Sequence, residues 1–196
     1  PNGKPATEVT FSIPYYEDDT IEVSLCGTID KIGKFKGGMY AIGDWKTTSN
    51  YDPAKYLSSY RMSPQLRFYR LALIVMGRKY PESLLGTIGN SPVGCFIDGI
   101  FLKPKSIDNM IIRSEVFQYK DMDQFEAGLI HNIQSLSGYI KADTFPKLGV
   151  VNGTCEQKFG KCSFYHACSA DNDKIANLIL QRDFSQRHYD PLHRKD

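Results

Sequence analysis

Two apolar stretches on either side of a glycine pair constrain the fold of this chain more than any other feature. Residues 20–35 and 39–49 contain many β-branched and aromatic side chains, and Gly37-Gly38 between them is a typical turn sequence. Each stretch has the length and composition of a strand. The sequence therefore predicts a β-hairpin centred near residue 37.

The predicted hairpin brings two carboxylates together on an otherwise apolar strand pair. In this register Asp30 lies opposite Asp44. Lys46, opposite Thr28, shares their face because side chains alternate along a strand. Opposed like charges are destabilising, and Mg²⁺ offsets them readily because it binds one or two carboxylates together with phosphate and water oxygens. A surface hairpin with three solvated charges is the alternative.

The remaining patterns alternate between strands and helices. Apolar β-branched stretches predict strands, and apolar residues spaced three and four apart predict helices. The predicted strands cover 7–13, 20–35, 39–49, 93–103 and 111–119, and the predicted helices cover 54–76, 121–142 and 171–181. Gly77 is predicted to end the first helix. This order predicts an α/β fold with one central mixed β-sheet flanked by helices.

Three polar side chains within these segments are of interest. Gln65 and Tyr69 lie four residues apart on the predicted helix 54–76, hence on one face. An amide and a phenol on one face suit a phosphate backbone or an unstacked base; Tyr69 in the core with Gln65 facing solvent is the alternative. Asp98, within the predicted strand 93–103, is interpreted as a structural turn residue rather than a secondary acid.

The composition is that of an ordinary globular protein. Hydrophobic residues make up 41% and charged residues 23% of the chain, which excludes a disordered or fibrous protein. A formal net charge of +2 argues neither for nor against a polyanionic partner. No apolar run approaches the roughly 20 residues of a membrane helix, and no signal peptide is recognisable. We expect a cytoplasmic protein of a bacterial or phage-infected host cell.

One domain accounts for most of the chain. A length of 196 residues suffices for a single domain with a sizeable core. We predict one domain over residues 1–183, including a cysteine loop over 155–168, and a polar C-terminal tail over 184–196. Because the chain starts at Pro1 rather than methionine, we expect an upstream segment to be missing.

Three motifs follow one another in the order of a known nuclease family. Gly27-Thr28-Ile29-Asp30 and Asp44-Trp45-Lys46-Thr47 lie in successive predicted strands, and Gln65 and Tyr69 frame a Q-x-x-x-Y pattern on the next helix. A G-x-x-D strand, a D-x-K-T strand and a Q-x-x-x-Y helix in this order resemble the RecB-type branch of the PD-(D/E)XK nuclease superfamily. That branch includes nucleases of recombination helicases, CRISPR adaptation nucleases and phage exonucleases. The resemblance covers about residues 8–170 and implies a restriction-endonuclease-like core.

The resemblance implies a metal site at the acidic hairpin. Asp30 and Asp44 would ligate Mg²⁺ or Mn²⁺, and the main-chain carbonyl of Trp45 would be a further ligand. Glu8 stands where relatives often carry an acid before the first motif strand, and would be an outer contributor.

The resemblance also implies how the substrate is held. Lys46 would position the attacking water or stabilise the pentavalent phosphate, and Gln65 and Tyr69 would hold the substrate strand near the metal. Relatives often supply a histidine from an upstream helix; we expect either that the missing upstream segment carries it or that this protein works without it.

Three cysteines are concentrated near the end of the chain. Cys155, Cys162 and Cys168 bring three thiols into one short loop, as in metal sites. In the iron–sulfur subset of the resembled branch, three C-terminal cysteines and a distant fourth hold a [4Fe–4S] cluster; the fourth ligand is not identified in this chain. A zinc site that includes His166, or cysteines without any metal, are the alternatives.

These features together predict a Mg²⁺- or Mn²⁺-dependent deoxyribonuclease. The predicted form is an exonuclease in DNA recombination, repair or phage DNA processing, with DNA as substrate and a helicase or recombination protein as partner. The alternative is a catalytically silent module of nuclease-like fold that binds single-stranded DNA or a protein. Asp30, Asp44 and Lys46, all present, favour the enzyme.

Overall fold

The computed structural model of the protein describes most of the chain in two compact units. The described residues are 6–35, 37–49, 52–102, 110–147, 149, 152–157 and 160–186. One unit contains the described residues up to Gln134, and the other contains those from Ser135 onward. No helix within these ranges is long and apolar enough to cross a membrane.

A five-stranded mixed sheet forms the centre of the first unit. Its strands, in the order in which they pair, are β1 (Ala6–Glu17), β2 (Glu22–Lys34), β3 (Tyr40–Thr48), β4 (Val93–Phe101) and β5 (Met110–Arg113). β3 and β4 run parallel, and the other neighbouring pairs are antiparallel. The predicted mixed sheet flanked by helices is therefore confirmed.

The last strand is shorter than predicted. The prediction of a strand over 111–119 is wrong beyond Arg113: there the Ser114 N–H donates to the Ile97 carbonyl at 2.8 Å, and an isolated bridge joins Cys95 and Phe117. The reason lies in Ser114, whose hydroxyl accepts the N–H of Ile97 at 3.0 Å in place of a main-chain carbonyl. The loop predicted between the last two strands, over 103–109, lies outside the described residues.

The β2–β3 hairpin has the predicted register but ends before the acidic residues. Residues 31–34 pair with 40–43 as predicted, and the pairing stops there. Two predicted ladder pairs are therefore wrong, namely Asp30 with Asp44 and Thr28 with Lys46. The physical reason is that the side chain of Asp30 accepts the N–H of Trp45 at 2.8 Å, so a side chain replaces the main-chain pairing.

The predicted helix 54–76 is two helices in the structure. These are α1 (Pro53–Ser58) and α2 (Pro64–Lys79), with a 3₁₀ turn between them at Ser59–Met62. The prediction of one helix is wrong because Pro64 has no N–H and disfavours helical backbone at the residue before it. That residue, Ser63, caps α2 instead by accepting the Leu66 N–H.

The end of α2 also differs from the prediction. Gly77 does not terminate α2, which continues to Lys79 and is followed by α3 (Leu84–Gly89), a helix that the sequence did not predict. A Cβ at Gly89 would lie 1.8 Å from the carbonyl oxygen of Leu73. A Cβ at Gly77 would lie 2.4 Å from the side-chain oxygen of Asn90. Both glycines therefore serve the close packing of α3 against α2.

The apolar core of the first unit lies between the sheet and α2. Leu66 and Leu71 of α2 and Ile42 of β3 are fully buried in it. β4 is buried along almost its whole length, because it is an interior strand that runs parallel to β3. The predicted helix 121–142 is confirmed as α4 (Met122–Lys141), which contains the boundary between the two units.

The second unit contains short elements after α4. They are β6 (Glu156–Gln157), β7 (Gly160–Lys161), α5 (Tyr165–Cys168) and α6 (Asp173–Asp183). The rings of Phe164 and Phe184 stack with their centroids 4.6 Å apart, which connects the start of α5 to the end of α6. The predicted helix 171–181 is confirmed with shifted ends. Most of the predicted tail lies outside the described residues.

We expect Gly89→Ala to destabilise the protein, because the new methyl group would overlap the main-chain oxygen of Leu73. The free energy of unfolding should fall by about 1–3 kcal/mol in a urea titration. Gly128→Ala in α4 is the matched control: in the described part of the chain nothing lies within 4 Å of its Cβ position. Alanine is better than glycine in a helix interior by about 1 kcal/mol. Equal stability of the two variants would contradict the packing role of Gly89.

Candidate active site

Asp44 is an acidic side chain in the interior of the first unit. It lies in β3 with 1% of its surface exposed. The side-chain amide of Gln65, in the first turn of α2, donates to Asp44 Oδ1 at 3.1 Å. The ammonium of Lys46 lies 2.6 Å from Asp44 Oδ2. Asp44 and Lys46 therefore share a face of the sheet, as predicted, and this face lies towards α2.

The second oxygen of Asp44 lacks a hydrogen bond. Oδ2 is buried, and no group in the described ranges donates a hydrogen bond to it; the ammonium of Lys46 approaches it as an ion pair without hydrogen-bond geometry. Burial raises the pKa of Asp44 above its ordinary value of 3.8; the close approach of the Lys46 ammonium and its charge lower it, and the negative charge of Asp30 raises it. The Lys46 ammonium offsets part of the cost of burying this oxygen, and its free lone pairs are suited to a bound cation.

Gln65 connects three of the predicted site residues. Its Oε1 accepts a hydrogen bond from Lys46 Nζ at 3.0 Å, while its Nε2 donates both to Asp44 and to the hydroxyl of Tyr69, the latter at 2.9 Å. The NH₂ group of the amide acts as donor and its carbonyl oxygen as acceptor. The structure therefore brings Asp44, Lys46, Gln65 and Tyr69 together.

Tyr69 belongs both to the core and to the site. Its side chain is buried, and its ring packs edge-on against Phe11 with the centroids 6.5 Å apart. Burial raises the pKa of Tyr69, and the negative charges of Asp44 and Asp30 act in the same direction. The hydroxyl therefore stays protonated at neutral pH and can donate a hydrogen bond.

Asp30 lies beside this group on β2. It is half-buried, and its Oδ2 accepts the main-chain N–H of Trp45 at 2.8 Å. Glu8 occupies the position of β1 across from Asp30, because the residues on either side of these two are ladder partners. Glu8 is exposed and has a φ of 52°, a backbone conformation that residues other than glycine rarely adopt.

The two carboxylates fit a divalent cation. Mg²⁺ and Mn²⁺ prefer carboxylate and carbonyl oxygens, which Asp30, Asp44 and the main chain of Trp45 supply. In the described ranges no group of three His, Cys, Asp or Glu side chains that could hold a metal ion is present. Two carboxylates suit Mg²⁺ nevertheless, because this ion usually completes its coordination with water and substrate phosphate.

The other face of the sheet carries a charged cluster that the sequence did not predict. Asp98 is 2% exposed, accepts hydrogen bonds from Arg113 at 2.7 and 2.9 Å, and pairs with Lys31. Burial alone would raise the pKa of Asp98, but the bonds from Arg113 and Lys31 outweigh burial and lower it. The interpretation of Asp98 as a turn residue is wrong, because it lies in the middle of β4 with cations from two other strands.

A pair of tyrosines near the site was also missed. The hydroxyls of Tyr56 in α1 and Tyr60 in the 3₁₀ turn are 2.9 Å apart. Burial and the hydrogen bond with Tyr56 raise the pKa of Tyr60, and the negative charge of Asp44 adds to them. The signal in the sequence was the four-residue spacing of the two tyrosines, the same spacing as that of Gln65 and Tyr69.

The three predicted cluster cysteines are free thiols of the second unit. The N–H of Cys162 donates to the carbonyl of Cys155 at 2.9 Å next to the β6–β7 hairpin, and Cys168 is the last residue of α5. Cys162 and Cys168 are exposed. Within the described part of the second unit, neither the three cysteines nor His166 belongs to a group of three metal-binding side chains.

Comparison with protein families agrees with this geometry. Residues 3–169 match the sequence model of the PD-(D/E)XK nuclease superfamily, so the chain belongs to that superfamily. Its members are typically metal-dependent nucleases that use Mg²⁺ or Mn²⁺. No curated protein and no solved structure matches the chain. The predicted superfamily is thus confirmed, while the RecB-type branch and the iron–sulfur subset stay predictions.

We expect Asp44→Asn to raise the melting temperature at pH 7 in EDTA. Because the pKa of Asp44 is raised in the folded protein, folding favours its protonated form. The stability that this provides is fully present below the ordinary pKa of 3.8 and is lost as the pH rises through the folded-state pKa. The neutral amide avoids that loss, so the difference between variant and wild type should shrink below about pH 4.

Asp98→Asn is the control of opposite sign. The pKa of Asp98 is lowered, so its contribution is present above pH 3.8 and is lost as the pH falls through the folded-state pKa. Asp98→Asn should therefore lower the melting temperature at pH 7. If Asp44→Asn melted at a lower temperature than the wild type at pH 7, the ionised Asp44 side chain would not be destabilising as we infer.

Proposed function

We propose that the protein is a Mg²⁺- or Mn²⁺-dependent deoxyribonuclease that hydrolyses phosphodiester bonds at the Asp44 site. The observation that carries the proposal is the buried Oδ2 of Asp44, which lacks a hydrogen-bond donor in the described ranges while Asp30 and Lys46 lie beside it. A carboxylate arranged in this way is poor for stability and well suited to holding a cation.

Asp30 and Asp44 would hold the metal, with the main-chain carbonyl of Trp45 as a further ligand. When bound, such a metal neutralises the charge of the scissile phosphate and lowers the pKa of a bound water. The protein's own contribution is to keep both carboxylates in place. Asp44 is held by the amide of Gln65, and Asp30 is held by the N–H of Trp45.

Lys46 supplies a positive charge at the edge of the site. Its side chain is about a quarter exposed, so it faces the region from which a substrate approaches. The oxygen of Gln65 holds the ammonium at 3.0 Å, which restricts its position before substrate binds. A cation fixed in this way stabilises negative charge that develops on the phosphate and orients the attacking water.

Gln65 and Tyr69 complete the substrate side of the site. The hydroxyl of Tyr69 accepts a hydrogen bond from Gln65, so its own proton can be donated to a phosphate oxygen. The Tyr69 ring is fixed in the core, which keeps this donor in place. We propose that the two residues hold the substrate strand near the metal.

The proposed branch of the superfamily rests on the order of the three motifs. The G-x-x-D, D-x-K-T and Q-x-x-x-Y motifs support the RecB-type branch, and we propose an exonuclease that acts on DNA ends in recombination, repair or phage DNA processing. A helicase or recombination protein is the proposed partner, and the cytoplasm is the proposed compartment.

We further propose that Cys155, Cys162 and Cys168 bind a [4Fe–4S] cluster with a fourth ligand that is not identified. The support is their spacing and the resemblance to the iron–sulfur subset. We expect anaerobically purified protein to be brown and to contain iron and acid-labile sulfide. Protein with zinc at these cysteines, or with no metal, would refute the cluster without affecting the Asp44 site.

The nuclease itself is tested with end-labelled linear and closed circular DNA, single- and double-stranded, with Mg²⁺, Mn²⁺ or EDTA. We expect linear DNA to be degraded in the presence of metal and circles to survive. Asp44→Asn should abolish cleavage, and Lys46→Ala should slow it at least about 100-fold, because each removes charge stabilisation from the reacting phosphate.

Glu126→Gln serves as the matched control for this assay. Glu126 of α4 accepts two hydrogen bonds from Arg78 at 2.7 and 2.9 Å and does not contact the site residues described above. Its replacement should leave cleavage unchanged. A folded protein that binds single-stranded DNA but cleaves no substrate under any of these conditions would favour the catalytically silent module instead.

A further inference from the structure

We propose that Lys31, Trp45 and Asp98 are positioning residues that fix the Asp30 carboxylate for metal binding from the opposite face of the sheet. The inference rests on the proposed nuclease site and deepens it. The three residues act through the main chain of β3 and not by contact with substrate.

The orientation of Asp30 depends on the main chain at Trp45. Asp30 Oδ2 accepts the Trp45 N–H at 2.8 Å. The β2–β3 ladder has already ended at Lys31 and Gly43, so no main-chain pairing between the two strands fixes this stretch. Whatever fixes Trp45 therefore also fixes the direction of the Asp30 carboxylate.

The side chain of Trp45 is held by Lys31. Side chains alternate along β3, so the indole lies on the sheet face opposite Asp44. The Lys31 ammonium lies 3.6 Å from the centre of the indole ring, a cation–π contact. Lys31 follows Asp30 directly in β2, and Trp45 follows Asp44 directly in β3. The contact therefore joins the two residues that come next after the two acids.

Gly43 makes the contact between Lys31 and Trp45 possible. A Cβ at Gly43 would lie 2.4 Å from Lys31 Cε and 2.5 Å from the ring of Phe96. Only a residue without a side chain lets Lys31 cross β3 at this point. Gly43 is therefore required by the packing of Lys31 and Phe96 on the sheet face opposite Asp44.

Asp98 in turn fixes Lys31. It is the ladder neighbour of Trp45 in β4, is 2% exposed, and pairs with Lys31 while Arg113 binds it through two hydrogen bonds. A buried ion pair is often no more stabilising than apolar residues of the same size. Apolar residues could stabilise this region equally well, so we infer that the charged cluster serves to fix the side chain of Trp45.

The experiment uses the only tryptophan of the chain, Trp45, as a fluorescent reporter. The wild-type protein and its Asp98→Asn variant are titrated with Mg²⁺ and with Mn²⁺ alone, without DNA. We expect the half-saturating metal concentration to rise about tenfold in the variant, because residues that orient metal ligands typically account for 10–100-fold in affinity. Cleavage at saturating metal should recover in part.

Two further variants keep the test independent of folding. Arg113→Lys keeps a positive charge at a half-exposed position but loses the paired hydrogen bonds to Asp98. The half-saturating metal concentration should therefore rise in this variant too, but less than in Asp98→Asn. Glu126→Gln removes a comparable arginine–carboxylate pair whose arginine, Arg78, lies at the far end of α2, about 20 Å along the helix from Gln65, and should leave the metal titration unchanged. Circular dichroism is used to check that each variant is folded.

The outcomes separate this inference from the nuclease proposal. Metal affinity in both Asp98→Asn and Arg113→Lys equal to that of Glu126→Gln would overturn the positioning role and leave the cluster purely structural. A wild-type protein that binds no metal, behaving like Asp44→Asn, would overturn the nuclease proposal and this inference with it.

Discussion

The carboxylate of Asp44, buried between β3 and α2, is the constraint on which the arrangement of the first unit depends. An ionised group in the interior is costly unless it is paired and hydrogen-bonded. The protein meets this requirement only in part: Gln65 satisfies one oxygen, and Lys46 lies beside the other without a hydrogen bond. Such incomplete compensation is typical of sites where a ligand completes the arrangement, because selection then accepts a cost in stability for function.

The position of α2 follows from the same requirement. Ser63 caps a new helix and Pro64 occupies its first position, so Gln65 falls in the first turn, directly against Asp44. One turn later Tyr69 brings its hydroxyl to the same place while its ring packs in the core. The proline that interrupts the helical pattern is therefore what allows the amide to reach the sheet.

β3 serves two faces of the sheet at once. Asp44 and Lys46 lie towards α2, and Trp45 between them lies on the other side, beneath Lys31. Asp44, Trp45 and Lys46 therefore link the side chains facing α2 to the cluster around Asp98. The N–H of Trp45 also donates to Asp30, the second acid. Because side chains alternate along a strand, three consecutive residues of β3 contact groups on both faces of the sheet.

The sequence by itself determined the hairpin, the mixed sheet and α4, and it pointed to the acids and lysine of the candidate site. These follow from local patterns, since glycine pairs make turns and side-chain periodicity defines strands and helices. Tertiary structure alone decided where the hairpin ladder ended, that Asp98 lies inside β4 between cations from β2 and β5, and which oxygen of Asp44 lacks a donor. The physical reason is that a buried charge takes its partners from strands and helices distant in the chain, and no local pattern specifies which of them will meet.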